Sequence, residues 1–140
     1  MEKLCCVSLE QDLDKYKKIK EDIRNKIIDY ISKNNITKII TTGECGGACK
    51  IGREVAQELA IPLELHFLNK KRNQGMYDVR SKEIIKVAEH FLIFWDGNSK
   101  GTSNEIKDIE KANKKYILYK YNREDYEEEI DLDLDFNFNI

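Results

Sequence analysis

The chain has 140 residues, which suits one domain of ordinary size, and at 41% hydrophobic it can build one real core. Charged residues make up 36%, but the formal net charge is only −2, so the whole-chain balance singles out no partner. No apolar run is long enough to span a membrane, and "MEKLCCVSLEQDLDKY" at the amino terminus holds neither a long apolar region nor a small-residue cleavage site. A cytoplasmic location is the expectation, with Cys5, Cys6, Cys45 and Cys49 as reduced thiols.

Read in chain order, strands and helices alternate. "KLCCVSL" is a short apolar run and the first predicted strand. Residues 12–33 predict a long helix, with Leu13, Tyr16, Ile19, Ile23, Ile27, Tyr30 and Ile31 on one face and Lys and Glu on the other. Asn34 and Asn35 end it. "TKIITT" is β-branched, as expected of a strand buried on both faces of a parallel sheet. "GECGG" is a turn, "ACKIGREVAQELA" a helix, and Pro62 closes that segment. "LELHFL" is the third strand, and "NKKRNQG" is a polar, basic loop.

"YDVRSKEIIKVAE" is the next predicted helix, "HFLIFW" the fourth strand and "DGNSKG" a second Gly-bearing break. The helix "TSNEIKDIEKANK" and the strand "KYILYKY" complete the series. Five strands alternating with four helices predict an α/β three-layer domain over residues 1–121, with a mainly parallel Rossmann-like sheet. Residues 122–140 form an acidic tail in which Arg123 faces eight acidic residues, leaving the rest of the chain net positive. Within it, "IDLDLDFNFNI" alternates strictly from Ile130 to Ile140 and predicts a half-buried strand, on this chain's own sheet edge or against another subunit.

In an open parallel sheet, ligands sit outside the carboxyl ends of the strands. Both Gly-bearing turns, "TGECGGA" and "DGNSKGT", lie there, and they share a crevice if their strands are neighbours. Each joins a strand to the start of a helix, where backbone N–H groups and the helix dipole favour phosphate. The binding candidates are Gly43, Gly46 and Gly47 in the first turn and Asp96, Gly97, Ser99, Gly101 and Thr102 in the second. Neither turn has the Gly-Lys-Ser/Thr of a Walker loop or the Gly-x-Gly-x-x-Gly of a dinucleotide fold. A plain architectural turn is the competing reading of each.

"TTGECGGACKIGREVAQELAIPL", "YDVRSKEII" and "FLIFWDGNSKGTSNEI" resemble, in order and spacing, the SLOG superfamily. That Rossmann-like group includes the Lonely Guy phosphoribohydrolases and the DprA/Smf proteins, and the resemblance is to its YspA-like branch. It covers about residues 41–119. Gly43 and Gly47 match glycines of the family loop, and Arg80 matches the arginine of its helix start. Asp96, Gly97, Ser99, Gly101 and Thr102 match the second turn, and Glu105 completes Gly-Thr-x-x-Glu. The resemblance implies a nucleotide ligand, subunits that pair into a homo-oligomer, and Arg80 and Glu105 as catalytic residues if N-glycosidic bonds are hydrolysed. Glu44 and Cys49 replace a usual glycine and a usual acid, and "VSLEQ" replaces the usual first loop, departures that bear on turnover more than on binding.

On chemistry alone, Arg80 can pair bidentately with a phosphate or carboxylate, or stand as a surface arginine. Glu105 can hydrogen-bond ribose or steer a water, or simply favour a helix dipole. Cys45 and Cys49, spaced C-x3-C, match no strong zinc pattern, so neither a metal nor a cofactor is expected; Cys49 near a helix start is also a candidate reactive thiol. His66 and His90 have no evident carboxylate or nucleophile partner and read as structural. Trp95 either stacks on a base or packs in the core. Three functions stand: a nucleotide-binding sensor or accessory protein, a phosphoribohydrolase-like enzyme, and a single-stranded nucleic-acid binder drawing on Lys70, Lys71 and Arg72. The low aromatic content (9%) and the acidic tail weigh against the last.

Overall fold

A computed structural model describes residues 2–7, 17–44, 46–69, 75–95, 97 and 100–121. The acidic tail, with its alternating segment, lies outside them. The fold is mixed α/β, as the alternating pattern predicts. The elements are β1 (Glu2–Val7), α1 (Lys17–Asn34), β2 (Ile36–Thr42), α2 (Gly47–Glu58), β3 (Leu63–His66), α3 (Met76–Val87), β4 (His90–Trp95), α4 (Lys100–Lys111) and β5 (Lys115–Lys120).

The strands pair in the order β3-β2-β1-β4-β5, and every pairing is parallel. From β1 the chain builds outward through α1 and α2 to β3. It then crosses back over β2 and β1 through α3 and builds the other way. The direction reverses between β1 and β4, and in sheets of this kind ligands are held at the carboxyl ends beside such a reversal.

The sheet is buried on both faces because adjacent residues of its central strands point to opposite sides. Ile39, Leu92 and Phe94 pack with Ile23 and Ile27 of α1 and with Ile51 and Val55 of α2. Ile40, Phe91 and Ile93 pack on the other side with Ile84 and Ile85 of α3 and Ile109 of α4. The four isoleucines of α1 at every fourth position, Ile19 to Ile31, are all buried, which is why one stripe holds so polar a helix to the sheet.

Helix ends follow local chemistry. Asn35, Ala60 and Asn113 take left-handed φ values just past α1, α2 and α4. After α2 the Ile61 amide returns to the Ala56 carbonyl at 2.8 Å, so the helix has ended before Pro62. One boundary differs from the predicted one. α4 begins at Lys100, not Thr102, so Gly101 lies within its first turn instead of in the preceding loop.

Candidate functional site

The site is built where β2 ends. Thr41 and Thr42 are buried, and the chain then passes through Gly43 and Glu44 toward α2. Gly46 is extended, Gly47 takes φ 72°, and α2 starts with both buried. No side chain caps this helix start among the described residues.

Arg53, one and a half turns into α2, reaches back over the loop. Its guanidinium donates to the Thr42 carbonyl at 2.6 Å and to the Glu44 carbonyl at 2.5 Å. These charge-assisted bonds fix the backbone on either side of Gly43. With the carbonyl of Glu44 so held, its carboxylate turns toward α3 and accepts from Arg80 Nη2 at 2.5 Å.

Arg80 is only 9% exposed, so the alternative of a surface arginine is ruled out. It sits within the α3 helix, one turn past Tyr77, whose ring centroid lies 5.5 Å from its guanidinium carbon. A buried cation needs a partner, and Glu44 supplies it. The adjoining Ser81 hydroxyl donates to Glu105 Oε1 at 2.6 Å, which ties α3 to α4.

Glu105 is half-buried in the second turn of α4, so it is not the first-turn acid of a helix dipole. Burial raises its pKa above the usual 4.5; the Ser81 hydrogen bond and the Arg80 charge oppose that rise, while Glu44 and Asp108 add to it. The Arg80 guanidinium thus pairs with one carboxylate, Glu44, and its charge also acts on a second, Glu105, whose pKa burial raises. Such a set can hold an anion on the arginine, or hold a proton on Glu105 for transfer.

The two predicted turns are not on neighbouring strands, because β1 lies between β2 and β4. The contacts that link these parts are made by side chains, Glu44 with Arg80 of α3 and Ser81 of α3 with Glu105 of α4. Gly97 stands after β4 with φ 87°, where any L side chain is strained. A Cβ there would lie 2.5 Å from Lys120 Cε, so the β5 lysine flanks this turn. Thr102 is buried at 6% exposure, while Asp96 and Ser99 lie outside the described residues, as do Cys45, Lys70, Lys71 and Arg72.

Cys49 is 3% exposed, and burial pushes its thiol pKa up against hydrogen bonds involving Thr41 and Thr42. A buried, protonated thiol is no nucleophile, so the reactive-thiol reading is overturned. His66 has carboxylate partners that the sequence did not reveal, Glu64 at 2.6 Å and Glu83 at 3.4 Å. His90 is buried against the Tyr30 hydroxyl at 2.6 Å. Trp95 is half-buried and packs against the α3–α4 core. Glu44, Arg53, Ser81 and Lys120 were missed as site residues. The one legible signal was Glu44, an acid in an otherwise glycine-rich turn.

Among the described residues no helix is long and apolar enough to cross a membrane. No family model, curated protein or solved structure matches this chain.

Proposed function

We propose that this protein binds a nucleotide or nucleotide-derived ligand at the carboxyl ends of a Rossmann-like sheet, as a sensor or accessory protein of SLOG type. The observation that carries this reading is Arg80, a buried guanidinium that α3 brings against the loop at the carboxyl end of β2. Glu44 occupies it with a single Nη2 hydrogen bond, and a phosphate would make a stronger bidentate partner. The start of α2, buried and without a side-chain cap among the described residues, adds N–H groups and a positive dipole end nearby. Pairing of two copies in the cytoplasm belongs to the same proposal.

The raised pKa of Glu105 favours a second reading, a phosphoribohydrolase-like enzyme. In it Arg80 would hold the phosphate, and Glu105 would carry or accept a proton near the N-glycosidic bond.

Thermal shift against nucleoside mono- and diphosphates, cyclic nucleotides, NAD and ADP-ribose tests both readings, with chromatography of each mixture. Binding raises the melting temperature by mass action. Stabilisation that is lost in Arg80→Ala and partly kept in Arg80→Lys supports Arg80 as part of the site. Free base released by the unmodified protein, and not by Glu105→Gln, decides for the enzyme. If none of these compounds stabilises the protein, the nucleotide reading fails.

A further inference from the structure

Two aromatic rings stand open to water at this end of the molecule, Phe67 at 65% exposure and Tyr77 at 59%. Phe67 immediately follows β3, whose carboxyl end pairs with that of β2 through His66 and Thr42. Its ring lies against Gly43. A Cβ built on Gly43 would come within 2.4 Å of Phe67 Cε1 and 2.9 Å of Cδ1, so the ring occupies the space that any other side chain would take.

The position of the ring is therefore set by the same loop that sets Glu44. Gly43 touches Phe67, the next residue is Glu44, and the Glu44 carboxylate touches Arg80. One peptide step, about 3.8 Å, separates the residue that seats the ring from the residue whose carboxylate holds the buried cation, so one short loop governs both. Arg53 holds the carbonyls on both sides of Gly43, so the loop beneath the ring is braced. An exposed phenyl ring forgoes the stabilisation of burial, and a flat ligand laid over it would recover that.

We propose that Phe67 is the stacking platform for the base of a nucleotide whose phosphate reaches Arg80. This rests on the nucleotide reading above and adds a specificity residue to it. Phenylalanine offers a π-face and no hydrogen bond, so the platform favours a flat aromatic base over a bare sugar phosphate without choosing among bases. Gly43 serves it by leaving room for the ring.

Titration calorimetry of the full chain with AMP, GMP, CMP and UMP against ribose 5-phosphate tests the assignment, because ribose 5-phosphate keeps the anion and lacks the base. At least one nucleotide is expected to bind about tenfold or more tighter than ribose 5-phosphate, in line with stacking on one ring. In Phe67→Ala that preference disappears while ribose 5-phosphate affinity stays within about twofold; in Phe67→Trp the preference is kept. Equal affinities in the unmodified protein, or a preference that survives Phe67→Ala, overturn the platform and leave the nucleotide reading standing. Absence of binding by all five compounds overturns both.

Discussion

The Arg80 guanidinium and the Glu44 carboxylate meet at 2.5 Å, joining the loop after β2 to the α3 helix. Their side chains are only 10% and 23% exposed, so each is the main relief for the other's desolvation. Glu44 thus takes up hydrogen-bonding capacity of Arg80 that the proposed phosphate would need. Glu44→Gln keeps an acceptor for Arg80 but removes the charge. Stability is expected to fall by about 1 kcal/mol, read from the urea midpoint. On the nucleotide reading, phosphate-ligand affinity rises in the same variant by about tenfold, the equivalent of 1.4 kcal/mol. A loss of affinity instead would make Glu44 part of the binding surface.

Glu105 gives the fold a pH dependence of known sign. Its folded pKa is raised above 4.5, chiefly by burial, so between those two values the folded chain holds more protons than the unfolded one. Its contribution is therefore full below pH 4.5 and falls as pH rises through the folded pKa. Glu105→Gln keeps an acceptor for Ser81 and removes the titration. Urea unfolding of both proteins across this range should show the unmodified protein losing stability relative to the variant as pH rises, with a flat difference beyond the folded pKa. A difference that rises with pH would contradict the burial of Glu105.

Much of the fold was legible because its determinants are local. Isoleucine at every fourth position specifies α1, and "HFLIFW" spans β4 from end to end because each of its residues has a buried face to fill. The start of α4 was misplaced because Gly101 reads as punctuation, although the helix already runs through it. Arg80 and Glu105 were legible as residue types in a family-like pattern. Glu44 stood out as an acid in a glycine-rich turn, but its pairing did not, because Arg80 lies 36 positions away and is delivered by α3 crossing two strands. Strand order is equally non-local. No periodicity in "TKIITT" or "HFLIFW" tells that β1 lies between them. The ring of Phe67 against Gly43 has the same origin, in the pairing of β2 with β3.

Lys114 closes the carboxyl end of α3 from a distance. Its ammonium donates to the carbonyls of Ile85 at 2.5 Å, Lys86 at 2.9 Å and Ala88 at 2.7 Å. Such end carbonyls lack partners within the helix, and a cation there also meets the negative end of the dipole. Lys114→Met retains most of the stem and removes all three bonds. It is expected to cost about 2 kcal/mol in urea unfolding, because charge-assisted bonds are worth more than neutral ones. A change below about 0.5 kcal/mol would mean that water replaces the ammonium without loss.

Tyr121 fastens the end of β5 to α1. Its hydroxyl donates to Asp22 Oδ2 at 2.6 Å, and Lys26 donates to the same oxygen at 2.7 Å and to the phenol at 2.9 Å. The Lys26 ammonium also stands 4.5 Å from the centre of the Tyr119 ring, which stacks on buried Phe94. Burial pushes the Asp22 carboxyl up, but the bonds from Lys26 and Tyr121 together outweigh it and hold the pKa below 3.8. The stability that Asp22 contributes is thus present above pH 3.8 and lost as pH falls through its folded pKa. Tyr121→Phe deletes one donor, so the Asp22 pKa should rise and acid unfolding should begin at higher pH. Carboxyl-carbon NMR titration of both proteins measures the shift directly. Burial and Asp22 also push the Tyr121 phenol well above its usual 10, so the unmodified protein should lose stability above pH 10 in a way that the phenylalanine variant does not. If both proteins respond alike at both extremes, Tyr121 contributes only its ring.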